Sequence, residues 1–498
     1  MGSLGNTQAN NFHAICVPYP AQGHIKPMFQ LAKFLHAQGF HITFVHTEYN
    51  LGRLLRAKEP GSGDGLERFK YETIPDGLPP SDNADVTQDL PSLNHAIMTT
   101  FLDPFTKLLH KLINNDSSSG SPLTTFIISD SGMPFTIDAA REVENVPLVW
   151  LWTASACGFL GYMQFRTLLN KGIVPFQDST FLTDGTLDKI IDCAPSSMKN
   201  IQLKYMPALV RTTDINDVMF TNCGMHSAET TAKSSAPVLF NTFDAFEHEA
   251  LNDASELILG PKYTIGPLQL LLNSVPTDNS ALTLGGSNLW KEDSECLRWL
   301  DSNHLKSVVY ISFGSIAKMT NQNLVEFAWG VANSKQKFLW VLRPDLLNGE
   351  NSVISPEFMS ETEGRGMIVS WCDQETVLRH PSIGAFLTHC GWNSTVDAIC
   401  GGVPVLCWPF FAEQQTNCWF SCNKWGIGME IDSDVTRTEV EMQLRDVMEG
   451  EKGVKKRGNA VEWRRLAEEA VETTCGSSYL NFDKFIKEVV LPLKNKGK

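Results

Sequence analysis

Positive charge is scarce in this chain: 41 lysines and arginines stand against 56 aspartates and glutamates, a formal net charge of -15 at pH 7. Nucleic acids and anionic membrane surfaces demand clustered Lys and Arg, so the shortage excludes both as partners. Any phosphate bound here must be met locally. The N-terminal MGSLGNTQANN lacks the basic and apolar regions of a secretory signal. Long apolar runs are also missing. The one long uncharged stretch, Val146 to Phe165, is interrupted by Pro147, a Thr153 to Ser155 turn, Gly158 and Gly161, and reads as a buried strand feeding a helix, not a membrane span. The 12 cysteines show neither paired zinc spacing nor a small secreted framework. Cys418 and Cys422 are four apart on a predicted helix without a second pair nearby in sequence, and reduced thiols fit a cytosolic protein. The first strand is followed by PAQGHIKPM, with one glycine, which argues against the G-x-G-x-x-G turn of a Rossmann oxidoreductase. No D-x-D pair follows any of the strands read from the sequence and acidic residues do not cluster as a hard-cation site needs, so neither a metal nor another cofactor is expected.

What the chain does contain is an alternation of short apolar strands and amphipathic helices, over a length of 498 residues that suffices for two large domains. Ala14 to Val17, Ile42 to Val45, Phe126 to Ile128, Leu148 to Leu151 and Val238 to Phe240 read as strands of a parallel sheet, with Pro27 to Ala37 as the first helix. A polar break from Leu271 to Asn288 marks a linker. The alternation then restarts with Val308 to Phe313, a helix near Gln322 to Ala332, Phe338 to Leu342 and Met367 to Ser370. The expected class is α/β, two doubly wound Rossmann-like domains facing across a cleft. Their expected bounds are 1–268 and 291–475, joined by a linker at 269–290 and followed by a terminal segment at 476–498.

The densest chemistry lies between Trp371 and Gln415. Ile383 to Leu387 and Val403 to Trp408 read as strands around a helix from about Asn393 to Cys400, and the turn between the first strand and the helix holds His389, Cys390, Gly391, Trp392, Asn393 and Ser394. A helix N-terminus offers unpaired N–H groups, and a glycine there admits an anion close to the backbone. Asn393 and Ser394 can equally be plain helix caps. Asp397 follows one helical turn later, where a carboxylate can accept two hydrogen bonds from a ribose diol. Glu413 and Gln414 follow the second strand, at the carboxyl end of the sheet.

This whole segment closely resembles the plant secondary-product glycosyltransferase box, the nucleotide-sugar signature of plant UDP-dependent glycosyltransferases. The resemblance implies that Trp371 stacks on uracil, that Cys372 offers it backbone contacts, and that Gln374 and Asp397 hold the ribose. It assigns His389, Asn393 and Ser394 to the diphosphate, and Trp392, Glu413 and Gln414 to the sugar, with Gln414 resembling the glucose-using variant. Two departures stand out: Asp373 replaces a usual proline, which loosens the turn after Trp371, and Asp397 replaces a usual glutamate, which shortens the ribose contact by a methylene. The two-domain fold is similar to that of this family, whose last helix crosses back to the first domain; Asn481 to Leu493 is the matching segment.

His24, in PYPAQGHIKPM, is expected in the loop after the first strand, where a largely neutral imidazole can accept a proton. The resemblance makes it the general base and makes Asp130, in FIISDSGMPFT, its partner; by itself Asp130 reads as a helix cap. The resemblance also takes Thr153 to a sugar hydroxyl and Ser315 to a phosphate, though either can merely satisfy its own turn. The implied reaction is an inverting, metal-independent transfer of glucose from UDP-glucose to a hydroxyl, giving a β-glucoside. ETIPDGLPP at Glu72 to Pro80 and YTIGPLQLLL at Tyr263 to Leu272 resemble the clade acting on terpenoid alcohols, cyanohydrins, iridoids, cytokinins and some phenolics. Tyr19, Met133, Phe159, Tyr162 and Met206 are expected to line the acceptor pocket. We expect a cytoplasmic monomer whose partners are UDP-glucose and a small hydrophobic hydroxylated acceptor. A non-catalytic nucleotide-sugar binder is disfavoured by the presence of His24, Asp130, Glu413 and Gln414 together.

Overall fold

The computed structural model describes residues 11–57, 66–79, 87–117, 123–276, 285–316, 319–343 and 355–494. Two open sheets organise them. The first holds β1 Phe12–Val17, β2 His41–Thr47, β3 Phe69–Ile74, β4 Thr124–Asp130, β5 Leu148–Trp152, β6 Val238–Phe240 and β7 Lys262–Thr264. Its spatial order is β3-β2-β1-β4-β5-β6-β7, every pair parallel. The second holds β8 Val308–Ser312, β9 Lys337–Val341, β10 Gly366–Val369, β11 Ile383–Thr388, β12 Val405–Cys407 and β13 Gly428–Glu430. Its order is β10-β9-β8-β11-β12-β13, again all parallel. β1 and β11 are buried at every residue because helices cover both faces, which is why they read as unbroken apolar runs. This is the two-Rossmann, cleft-forming α/β fold expected.

In each sheet the chain winds outward in one direction and then returns to the middle to wind the other way. The reversal falls between β1 and β4 in the first sheet and between β8 and β11 in the second. Loops leaving neighbouring strands diverge there and open a crevice at the carboxyl edge, where ligands of such sheets bind. His24 follows β1 and Asp130 ends β4, while Gly314 follows β8 and His389 follows β11. The topology therefore brings both pairs to the two reversal points.

Val146 to Phe165 is the strand β5 followed by the helix Ala156–Met163, and among the described residues no helix is long and apolar enough to cross a membrane. The expected linker 269–290 falls partly outside the described residues, at 277–284. Its first residues belong to a helix, Leu268–Asn273, with Leu270 and Leu271 buried. At the other end, the helix Ser477–Phe485 lies on the first sheet. Phe482 packs edge-on to Phe34 at 4.9 Å, and Asn481 Nδ2 donates to Thr264 Oγ1 on β7 at 2.7 Å.

Candidate functional site

The first helix runs Gln22–Ala37, five residues earlier than its periodicity predicts, so His24 stands in a helical first turn and not in a loop. Pro27 lies inside that helix and has no N–H to give the Gly23 carbonyl four residues back. That carbonyl instead accepts Asn393 Nδ2 from the second domain at 2.6 Å. The helix break thus becomes a contact between the halves of the cleft, directly beside His24.

His24 Nδ1 lies 2.8 Å from Asp130 Oδ2, joined across neighbouring strands whose register places Val17 beside Ser129. Thr153 Oγ1, at the end of β5, is 2.8 Å from His24 Nδ1 and 3.1 Å from Asp130 Oδ2. Nδ1–H donates to the carboxylate, the threonine hydroxyl donates to the same oxygen, and Nε2 is left as the basic atom. The Asp130 carboxylate is 1% exposed whereas the His24 side chain is 37% open to the cleft, so the carboxylate acts only through the imidazole. Burial pulls the His24 pKa down, but the Asp130 charge and hydrogen bond, helped by Glu413, hold it above the ordinary 6.5. Gly132 N–H donates to Asp130 Oδ1 at 2.8 Å and fixes the second oxygen.

The helix Trp392–Gly401 begins at Gly391, which has no side chain to cap it, so its first N–H groups face the cavity. His389 closes that turn. A Cβ on Gly314 or on Gly391 would stand 2.5 Å from His389 Nε2, and Gly314 has φ +74°, so both positions require glycine. Burial, with Arg343 adding to it and a backbone hydrogen bond to Ser312 opposing, takes His389 down to about 4. Without a ligand the imidazole is held neutral, and in that form it can serve an oxyanion as an N–H donor. The fixed positive charge nearby is Arg343, 6% exposed, whose Nη1 donates to the Ser315 carbonyl and holds the loop after β8. Nothing in the sequence pattern marks Arg343 for this position.

Trp371 stacks on Trp290 at 4.6 Å and 25°, and the Arg53 guanidinium lies 4.4 Å over the other tryptophan, which backs the ring expected to meet uracil. Cys372 lines the cavity with its thiol turned to Tyr310 Oη, 3.5 Å away. Asp373 does not loosen the turn. It caps the helix Gln374–Arg379, accepting from Thr376 N at 3.3 Å and Thr376 Oγ1 at 2.6 Å, and so replaces the stiffness of a proline by hydrogen bonds. Gln374 Nε2 donates to Asp397 Oδ2 at 2.8 Å and to Ser394 Oγ at 3.1 Å.

Asp397 is also held from the first domain. Lys26 Nζ reaches Asp397 Oδ2 at 3.0 Å and Glu375 Oε1 at 2.7 Å, and Gln269 Nε2 donates to Asp397 Oδ1 at 2.8 Å. Lys26, Gln269 and Glu375 fall within PYPAQGHIKPM, YTIGPLQLLL and the Trp371 to Gln415 segment, but only the facing of the two domains gives them a role. Burial raises Glu375, with Lys26 opposing and the Asp397 charge adding to the rise. Lys26→Met leaves the two carboxylates to repel each other without their cation. With Lys26 one-fifth exposed, it is expected to destabilise the ligand-free protein by about 1–3 kcal/mol. Scanning calorimetry reads this as a lower midpoint that Lys26→Arg largely restores; an unchanged midpoint rules the clasp out.

The residues expected at the sugar are divided. Glu413 is buried near the His24–Asp130 pair, accepts from Tyr162 Oη at 3.1 Å, and is raised by burial. Gln414 accepts Phe410 N at 2.9 Å and Phe411 N at 2.8 Å through Oε1, so only its NH2 remains to serve a hydroxyl, as a donor. The Trp392 indole N–H donates to the Asn241 carbonyl at 2.9 Å, and its ring stacks on Phe246 at the domain contact. Ser315 lines the cavity and accepts Thr87 Oγ1 through its carbonyl at 3.0 Å.

Asp397, expected at the ribose, and Arg343 lie outside the lining, but His24, Asp130 and the other expected donor groups line one cavity of about 530 Å³ between the sheets, within the range of small-molecule sites. Tyr19 and Tyr162 line it, and the Tyr19 ring lies 4.8 Å from that of His24. Met133, Phe159 and Met206 do not: they are 2%, 0% and 0% exposed and belong to the core, where periodic apolar positions most often go. Met219, Cys223 and Ser227 line the cavity in their stead. Met219 and Cys223 stand on a π-helical turn, Met219–His226, at the end of a run of short 3-10 turns that no simple period predicts.

Comparison with known proteins gives the family and the fold. The family described as UDP-glucoronosyl and UDP-glucosyl transferase matches residues 195–462. The chain is 53% identical over 488 residues to the 7-deoxyloganetin glucosyltransferase of Catharanthus roseus, covering 98% of each. It is 51% identical over 479 residues to the (R)-mandelonitrile beta-glucosyltransferase of Prunus dulcis, covering 96% of this chain and 97% of that one. Among solved structures, Os79 from O. sativa in complex with UDP superposes with a TM-score of 0.75 at 25% identity, covering 96% of this chain and 99% of that one.

Proposed function

Because the chain belongs to the UDP-glucoronosyl and UDP-glucosyl transferase family and is a glucosyltransferase, we propose that it moves glucose from UDP-glucose to a hydroxyl of a small hydrophobic plant metabolite with inversion, His24 acting as general base. One observation carries the reading: the His24–Asp130–Thr153 group and the Trp371, Gln374 and Asn393 side chains line the same cavity from opposite sheets, with Asp397 buried behind Gln374. An acceptor between them has its hydroxyl at Nε2 and the anomeric carbon beyond it.

An alcohol resembles water, with a pKa near 15.7, and a phenol lies near 10, so His24 cannot make a free oxyanion of either first. Proton transfer to Nε2 accompanies attack of the hydroxyl oxygen on the anomeric carbon, as the bond to the UDP oxygen breaks. Asp130 stabilises the imidazolium that forms and holds its tautomer. The diphosphate takes the bonding electrons and is met by the open N–H groups of the Trp392–Gly401 helix, His389 and the Arg343 charge. Attack from the face opposite UDP turns an α-linked donor into a β-glucoside.

The relatives named for 7-deoxyloganetin and (R)-mandelonitrile support a terpenoid, cyanohydrin or phenolic acceptor. A screen of such hydroxyl compounds with UDP-glucose, with the anomeric configuration of the product read by NMR, is expected to give β-glucosides. UDP binding without transfer to any acceptor sinks the reading. Helix N–H groups backed by the nearby Arg343 charge need no divalent ion, so turnover in excess EDTA is expected to equal that in buffer. Loss in EDTA that magnesium restores contradicts it.

A further inference from the structure

Behind the donor turn, on the side away from the cavity, the fold gathers cysteines that are far apart in sequence. Cys390 leaves β11, Cys407 ends β12, and Cys418 lies on the helix Gln414–Asn423. Their sulfurs all lie within 4.8 Å of one another, and the three residues are 1%, 0% and 0% exposed. Cys422 is one helical turn beyond Cys418 on the same helix and half-buried, with its sulfur outside that group of three. The pair at 418 and 422, which lacks a second pair in sequence, thus acquires one in space.

We propose that Cys390, Cys407, Cys418 and Cys422 form a thiolate site for a soft, thiophilic cation such as zinc. The geometry is close to what such an ion needs. For three sulfurs up to 4.8 Å apart the centre is at most about 2.8 Å from each, against about 2.3 Å for a zinc–sulfur bond, so each moves inward by about half an ångström. Cys422 supplies the fourth bond by a side-chain rotation, which its half-exposed position permits, and it provides the way in. Soft sulfur ligands select such ions over magnesium or calcium. Each thiol that becomes a ligand gives up its proton to solvent, so binding releases up to one proton per cysteine. Lys456 acts on Cys407 and offsets part of the surplus negative charge, while Glu430 beside the cluster opposes it.

The site staples three elements that frame the donor. Cys390 lies between His389 and Gly391 with a left-handed φ of 63°, and its carbonyl accepts Asn417 Nδ2 at 3.0 Å. The helix bearing Asn417, Cys418 and Cys422 starts at Gln414, next to Glu413. The cation does not touch the reacting groups, and transfer itself does not call for it.

The test is a titration of the reduced full-length protein with cadmium, followed by sulfur-to-metal charge-transfer absorption in the ultraviolet. One cation per chain, proton release, and a higher thermal midpoint are expected. Cys422→Ser, the change least disturbing to the core, is expected to weaken binding by at least about tenfold and to abolish the midpoint shift. Cys407→Ser does the same where circular dichroism shows it folded, while Cys475→Ser, an exposed thiol outside the cluster, leaves both unchanged. Bound cation should also protect Cys422 from alkylation. The absence of a charge-transfer band overturns the site, and so does a band that persists in Cys422→Ser at full affinity with Cys422 still open to alkylation. None of these outcomes bears on glucosyl transfer, whose failure is read separately from the acceptor screen.

Discussion

His24→Ala is expected to lower kcat/KM by about a hundred- to ten-thousand-fold, the range over which a positioned general base contributes. KM for UDP-glucose should stay within a few-fold, because the imidazole meets the acceptor and not the nucleotide. The pH profile gives a sharper test. A base works only when neutral, and the Asp130 charge and hydrogen bond, against the downward pull of burial, hold His24 above 6.5. Activity is therefore full at pH values above the raised pKa and falls about tenfold per unit below it, one proton being taken up. Asp130→Asn removes the carboxylate that sustains the rise. The acid limb should shift to lower pH while the plateau drops, since the amide no longer enforces the tautomer or stabilises the imidazolium. An acid limb that stays in place in Asp130→Asn, or a near-normal rate in His24→Ala, removes this pair from the reaction.

Asp397→Ala is expected to raise KM for UDP-glucose by roughly ten- to a hundred-fold, the cost of losing a hydrogen bond to a charged acceptor at about 1.5–3 kcal/mol. It also leaves Lys26, Gln269 and Gln374 pointing at a void. The carboxylate is 3% exposed, and deleting one partner of a buried ion pair costs about 3–5 kcal/mol, an upper figure here because Lys26 is partly open to solvent. Asp397→Asn separates the two losses, since it keeps the shape and removes the charge. Calorimetry alongside steady-state kinetics in UDP-glucose checks both. An unchanged KM in a folded Asp397→Ala protein shows that the ribose lies elsewhere.

Most of the fold was legible because a parallel sheet covered on both faces writes itself as apolar runs. The strands that escaped were β3, β7 and β13, all at sheet edges. β7 and β13 are three residues long, and β3 carries Lys70 and Glu72 on its open side, so none produces an unbroken apolar run. The first helix was read late because Pro27 suggests a boundary. The boundary is overridden by Asn393, which satisfies the carbonyl that proline leaves free.

The candidate donor residues from Trp371 to Gln414 were legible for a different reason: the resemblance that names them rests on one continuous segment, most of whose polar residues line the cavity. The acceptor pocket has no such segment. Met133, Phe159 and Met206 were plausible from their apolar character, but a sequence does not say which face of a buried segment opens on a cavity, and Met219 and Cys223 come from irregular turns.

From sequence alone came the α/β class and the nucleotide-sugar box, because each depends on local pattern, and the resemblance that the box carries pointed to the family and to His24 and Asp130 as the residues to test. Only the tertiary structure decided how those parts meet. Asp130 reaches His24 because β4 lies beside β1, Lys26 and Gln269 reach Asp397 because two sheets face each other, and Cys390, Cys407 and Cys418 converge because β11, β12 and a helix pack together. Each of these contacts joins residues that chain order holds apart, and the energy that closes them comes from burial summed over whole domains, which no short motif records.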